Sequence, residues 1–196
     1  VKWNNGDDFN ADDVIFNIER WCERDVEGNS MASRLSNLVD PDTNQAADGA
    51  IEVTGDLTVQ LNLRAADISI IPSISDYPAA IVHPDHIGAD PFRNPMGTGP
   101  YQLETYEPGT RATLVRAEGH QWWNAGNGAW LDRIEYTDYG TDPSAWGAAA
   151  EGDEVDMLYS VDGDFIDIMA VQDGWTEHDI ATASTVVIRP NQLAEV

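Results

Sequence analysis

Two glycines flank a threonine in Asn94-Pro95-Met96-Gly97-Thr98-Gly99-Pro100, and a glycine-rich loop of that kind could cradle a phosphate on its amide groups. That chemistry needs a helix N-terminus directly behind the loop, whereas Pro100 and the alternating run Tyr101, Leu103, Thr105 follow here. The stretch therefore reads as a tight turn feeding a strand, with the glycines supplying unusual dihedrals. Asp162, Asp164 and Asp167 could ligate calcium. Phe165 and Ile166 stand where a hand-type loop needs oxygen ligands, so the acids read as the cap and first turn of a helix. His83 and His86 enclose Pro84-Asp85 and have no third ligand at a defined spacing. They read as a solvated turn, and neither a metal nor any other cofactor is expected. Cys22 is the only cysteine, which leaves no disulfide and no cysteine-built zinc site within this chain. A serine elbow, a Cys/His pair and a zinc-binding helix motif are all lacking. Carboxylate pairs abound, so a secreted acidic glycan hydrolase is the alternative from another class; it requires two acids facing one cleft at a defined separation. Trp122 and Trp123 could stack on a sugar or a peptide, although such pairs beside a strand ordinarily pack.

The background charge narrows the partners further. The chain has 196 residues, with 35 acidic against 10 basic side chains and a formal net charge of −25. Its arginines are scattered from Arg20 to Arg189 without forming a basic patch, so no nucleic-acid partner is expected and an anionic membrane surface is disfavoured. An apolar share of 42% with seven tryptophans is enough for a real core. No apolar run approaches the roughly 20 residues needed to span a bilayer. A single lysine, Lys2, and an excess of aspartate over glutamate suggest a salty or extracytoplasmic milieu. The chain opens inside a strand-turn-helix unit and closes on the apolar run Val186 to Ile188, and so reads as a piece of a longer protein.

The elements that must position these residues follow from periodicity. Asn10 as N-cap, Asp12 and Asp13 in the first turn, and Val14, Ile15, Ile18, Trp21 and Cys22 at helical spacing predict a helix over about 11–24. Glu27 to Gly49 is a long polar connection in which Leu35 and Leu38 allow a helical turn. Residues 51–54, the Gly55-Asp56 turn and 57–63 predict a β-hairpin with Leu57, Val59, Leu61 and Leu63 on one face. Residues 67–74 allow a short helix. Tyr101 to Thr105 and Ala112 to Ala117 around Pro108-Gly109 predict a second hairpin. Leu131 to Tyr136 alternates, and Asp142-Pro143 announces a helix through Ala150. A strand at Val155 to Tyr159 follows, then a helix at Asp162 to Val171 burying Phe165, Ile166, Ile168 and Met169, and a final strand at Thr185 to Arg189. The alternation from 131 to 189 is an α/β pattern. The turn-rich stretch near Pro84 to Asn94 is the expected boundary between a unit of residues 1–85 and one of 86–196.

The order of these pieces resembles a family. Trp3, Gly6 and Phe9-Asn10-Ala11-Asp12-Asp13-Val14 resemble the opening segment of the extracellular solute-binding proteins, family 5, the peptide-, nickel- and opine-binding components of ABC importers. The Asp56 to Leu63 hairpin, Asn94 to Tyr101, Leu114-Val115-Arg116 with Trp122 or Trp123, Leu131 to Ile134 and Gly152 to Met157 are similar to later family segments, in family order. The resemblance implies a type II periplasmic-binding-protein-like α/β fold: a mixed sheet with flanking helices plus a smaller α+β subdomain. Residues 1–85 would be the extra subdomain of the first lobe and 86–196 part of its sheet-bearing portion, with some N-terminal strands and the second lobe outside this piece. It implies a non-enzymatic, periplasmic or extracellular protein that captures a small molecule or peptide and delivers it to ABC permease subunits. It further implies that the strand after Gly152 to Met157 brings Tyr159 and Ser160 to the inter-lobe cleft. Val187 to Asn191 matches a later segment, making Arg189 and Asn191 cleft residues, with Arg189 able to pair with a ligand carboxylate. Asp76 and Tyr77 complete the candidate ligand set.

Overall fold

The computed structural model describes residues 1–86, 92–93 and 95–180. The fold is mixed α/β, and the chain divides into two compact units, Val1–Asp138 and Tyr139–Val196.

The first unit begins with α1 (Ala11–Cys22). Its start is fixed by a capping box: the Asn10 side chain accepts from the Asp12 and Asp13 amides, and Asp13 Oδ2 accepts from the Asn10 amide at 2.9 Å. The same Asp13 oxygen accepts from Trp3 Nε1 at 3.2 Å, so one buried carboxylate satisfies both the helix entry and a fully buried indole. The apolar stripe of α1 then meets α2 (Met31–Arg34) and the residues after it. Ile18, Trp21, Cys22, Met31, Leu35, Leu38, Val39 and Ala50 form one buried cluster. Burying a large aliphatic or aromatic side chain stabilises by about 1.5–3 kcal/mol, so this cluster is the main cohesive element of the unit. Burial also pushes the Cys22 thiol up to about 11.

The hairpin β1 (Ile51–Gly55) and β2 (Thr58–Leu61) covers this cluster with Ile51, Val59, Leu61 and the following Leu63. Its turn falls on Asp56-Leu57, one residue later than expected, and the register shifts between Val53 and Gly55. Leu57 is therefore a turn residue, 76% exposed, and not a member of the core face. The Ala11 amide donates to Asp56 O at 2.9 Å, tying the hairpin turn to the start of α1. The expected short helix contracts to α3 (Ile70–Ser73), with a 3₁₀ turn at Tyr77–Ala79.

A three-stranded antiparallel sheet follows, ordered β3 (Tyr101–Glu107), β4 (Arg111–Arg116), β5 (Arg133–Thr137). Leu103, Leu114 and Ile134 stand in register across all three strands, so the alternating segment at 131–136 joins the hairpin as its third strand. Gly109 takes a φ of +70° in the β3–β4 turn, a conformation that explains a glycine there. Arg133 bridges Glu104 and Glu135 at 2.6 and 2.5 Å across the exposed face.

The second unit holds α4 (Pro143–Glu151) and α5 (Phe165–Ala170). The Asp142 side chain caps α4 through the Ser144 amide, with Pro143 at its first position, and Trp146 packs on Phe165 at 5.5 Å between ring centroids. Two expectations fail here. Val155 to Tyr159 is not a strand: no strand pairs with it among the described residues, and a short segment without a partner has no ladder to take its backbone groups. On α5 only Met169 is buried, with Ile166 and Ile168 exposed, because a helix of six residues offers a single turn to its neighbour. The expected strand at 185–189 lies outside the described residues.

Candidate ligand groove

The groove is built from the end of α1. Asn29 closes that helix by donating its side-chain amide to the Arg20, Trp21 and Glu23 carbonyls at 3.3, 3.2 and 2.7 Å, while its Oδ1 accepts from the Met31 amide. One side chain thus serves two of the last carbonyls of α1 and its C-cap, and anchors the start of α2. Further back along α1, fully buried Asn17 donates to Val82 O and accepts from the Val82 amide, at 2.8 and 3.0 Å. Arg20 Nη2 reaches Asn17 Oδ1 and Ala80 O at 3.0 and 3.2 Å. These bonds hold the segment after the Tyr77–Ala79 turn against α1. Between the end of α1, the start of α2 and the Tyr77–Ala79 turn lies a groove of about 460 Å³ lined by Arg20, Trp21, Glu23, Glu27, Asn29 and Tyr77 among others.

Asp76 caps the Tyr77–Ala79 turn and accepts from the Tyr77 amide at 2.9 Å and from Arg34 Nη1 at 2.8 Å. The Arg34 hydrogen bond, followed by the Tyr77 amide, holds its carboxyl below the usual carboxylate range. It thereby fixes the start of the turn that carries Tyr77, a residue 88% exposed that lines the groove. Two groove residues carry a further mark: Arg20 Nε and Trp21 Nε1 are buried and have no hydrogen-bond partner. Arg20 is also desolvated, which lowers its guanidinium pKa, with the Glu23 charge acting in the other direction.

Other candidates fall elsewhere. Tyr159 is 97% exposed in the second unit, and Ser160 Oγ approaches Asp162 Oδ2 at 3.4 Å. Arg189 and Asn191 lie outside the described residues. The glycine-threonine stretch leads directly into β3, with no helix N-terminus behind it to aim amides at a phosphate. The Asn4 amide donates to Gly97 O at 2.9 Å, and His120 Nε2 lies 3.4 Å from Thr98 O. Neither Gly97 nor Gly99 has a positive φ, and a Cβ on either would meet nothing within 4 Å, which corrects the expected dihedral demand. A smaller cavity of about 250 Å³ lies beside this stretch, between Asn4, His86 and Tyr101. His83 is buried, which corrects the expected solvated turn. It stands edge-on to Trp3 at 5.0 Å, its Nδ1 accepts from the Asp85 amide, and its Nε2 faces Asp7 at 3.3 Å. Among the described residues, no group of three His, Cys, Asp or Glu side chains could hold a metal ion, and no helix is long and apolar enough to cross a membrane.

The sequence pointed to Tyr77 and passed over Arg20, Trp21 and Asn29. The helical spacing that put Trp21 on the core face carried one unused signal, because a buried indole N–H demands an acceptor.

Known structures share this architecture. An oligopeptide-binding protein of clavulanic acid biosynthesis superposes with a TM-score of 0.70 at 23% identity, over 87% of this chain and 33% of that one. The nickel ABC transporter protein of Bacillus halodurans gives a TM-score of 0.66 at 24% identity, over 89% and 32%. OppA of Burkholderia pseudomallei gives 0.62 at 19%, over 86% and 34%. The chain thus spans about a third of the length of these structures, and its fold is that of the periplasmic solute-binding proteins. No curated protein sequence matches it. The sequence profile of the bacterial extracellular solute-binding proteins, family 5 Middle, matches residues 1–196, and the chain belongs to that family.

Proposed function

We propose that this chain is part of the substrate-binding component of an ABC importer, which captures a peptide-like solute outside the cytoplasm and delivers it to a membrane permease. The family match over the whole chain carries this reading. The range of solutes named for similar structures supports it: oligopeptides, nickel and agropinic acid. In this reading residues 1–85 form the extra subdomain of the first lobe and 86–196 part of its sheet-bearing portion. Tyr77 contributes its exposed ring to the ligand surface and Asp76 positions it. Tyr159, Ser160, Arg189 and Asn191 contribute from the remaining segments. Affinity comes from two lobes closing over the solute, so hydrogen bonds and buried contacts are completed only in the closed state. The protein catalyses nothing, and no observation favours the glycan hydrolase.

The test is a thermal-shift screen of the full-length mature protein against peptides, opines, sugars and nickel chelates, with glycan turnover followed in the same wells. A solute at a thousand times its Kd stabilises by about 4 kcal/mol, a shift of several degrees. A shift without turnover supports transport. Glycan turnover, or a flat response to every solute class, refutes it.

A further inference from the structure

An asparagine followed by glycine is prone to lose its side-chain amide, because glycine has no Cβ to keep its own backbone nitrogen from reaching the asparagine Cγ. The chain holds two such pairs, Asn5-Gly6 and Asn127-Gly128. Both asparagines are exposed, so accessibility does not separate them. Hydrogen bonding does. At the first pair the attacking group is occupied, since the Gly6 amide donates to Trp3 O at 3.0 Å. The Asn5 side chain is also held at both ends: Nδ2 donates to Asp7 Oδ2 at 2.7 Å and Oδ1 accepts from the Asp7 amide at 3.0 Å. At the second pair the Gly128 amide donates to no acceptor among the described residues, and the Asn127 side chain makes one bond, from Nδ2 to Asn124 Oδ1 at 2.8 Å. Two turn bonds close this segment, Ala125 N to Trp122 O at 3.2 Å and Asn127 N to Asn124 O at 3.1 Å, so little opposes its local opening.

We propose that Asn127 is a site of spontaneous covalent modification, converted through a succinimide to aspartate and isoaspartate, while the fold protects Asn5. The Gly128 nitrogen, its proton passing to hydroxide, bonds to Asn127 Cγ; the Cγ–Nδ2 bond breaks and the side-chain nitrogen leaves as ammonia. Water then opens the ring. Cleavage between Cγ and the Gly128 nitrogen yields aspartate, whereas cleavage between the Asn127 main-chain carbonyl carbon and that nitrogen yields isoaspartate, whose chain path runs through Cβ and Cγ. The longer path matters here, because Gly128 lies so close to Trp122 that a Cβ on it would stand 3.1 Å from Cζ2 of that ring. Trp122 in turn stands edge-on to Trp123, at 5.5 Å between ring centroids. Isoaspartate at position 127 therefore displaces Gly128 from Trp122 and loosens the tryptophan pair. This chemistry is independent of which solute the protein binds.

The experiment incubates the full-length protein in mildly alkaline buffer, both folded and in urea, and follows each asparagine by tandem mass spectrometry with fragmentation that separates aspartate from isoaspartate. In the folded protein Asn127 is expected to convert roughly tenfold or more faster than Asn5, which must first break the bonds around Gly6 and Asp7. In urea the difference collapses, because both side chains then precede an unrestrained glycine. The near-ultraviolet dichroism of the tryptophans changes in step with isoaspartate, and Asn127→Gln, which keeps the amide but disfavours the ring, suppresses both. Comparable rates at the two sites in the folded protein, or an intact Asn127 there while the chain in urea converts, overturns the proposal. A preference for Asn127 that persists unchanged in urea overturns it as well, since sequence rather than fold would then be the cause. Isoaspartate formation that leaves the dichroism unaltered overturns the link to Trp122.

Discussion

Single side chains in the first unit serve two structures at once, and their effects on stability are correspondingly specific. Asn29 ends α1 and starts α2, Asn17 sews the 80–82 segment to α1, and Asp13 joins the helix cap to Trp3. Asp76 belongs to this group, and its charge makes it sensitive to pH. Because its folded pKa is depressed by Arg34 and the Tyr77 amide, its contribution is complete above the usual aspartate value. That contribution is lost as pH falls through the lower folded value. Asp76→Asn is therefore expected to flatten the loss of stability between about pH 4 and the lower folded value, relative to wild type, while changing little in pH dependence at neutrality. Urea midpoints measured across that range in both proteins check this; parallel curves would mean that the Arg34 contact is not formed in solution.

Cohesion at the level of elements comes from α1, α2 and the β1–β2 hairpin, which share one buried cluster. Leu38 is fully buried within it and comes from the polar connection between the helix and the hairpin. Leu38→Ala is expected to cost about 2–5 kcal/mol, the range for truncating a core leucine. Denaturant unfolding followed by tryptophan fluorescence measures this. A loss below about 1 kcal/mol would show that the connection is not part of the core. The sheet is held differently. Leu103, Leu114 and Ile134 align across it, but much of β3 and β5 is exposed, so its stability depends on pairing and on cross-strand groups such as Arg133 with Glu104 and Glu135.

The whole chain carries a net charge of −25, and few of its 35 acids can find one of 10 basic partners. The ion pairs that do form are mostly exposed, and exposed pairs contribute little each. Self-repulsion among the remaining carboxylates opposes compaction, and salt screens it. Raising sodium chloride from about 0.05 to 2 M, which shortens the Debye length from more than 10 Å to about 2 Å, is expected to raise the unfolding temperature by several degrees. Differential scanning calorimetry tests this, and a flat or falling Tm would show that the acids are already compensated.

The sequence alone determined the elements whose cause is local. The Asn10 cap with Asp12 and Asp13, the Asp142-Pro143 start of α4, and the alternation of the two hairpins all act within a few residues, so their signals survive without tertiary context. The order of motifs likewise determined the family, which no single motif could. Only the tertiary structure decided what depends on partners distant in the chain. The strand expected at Val155 to Tyr159 needed a neighbour to pair with, and none stands beside it among the described residues. His83 reads as a turn residue until Trp3 and Asp7 are brought against it from 76 and more residues away. Leu57 was moved off the core face by a single residue of register. The groove has the same origin. Tyr77 was legible as a candidate, but that it faces Arg20 and Trp21 follows from Asn17 bonding to Val82, a contact 65 residues apart in sequence and therefore invisible to any local pattern.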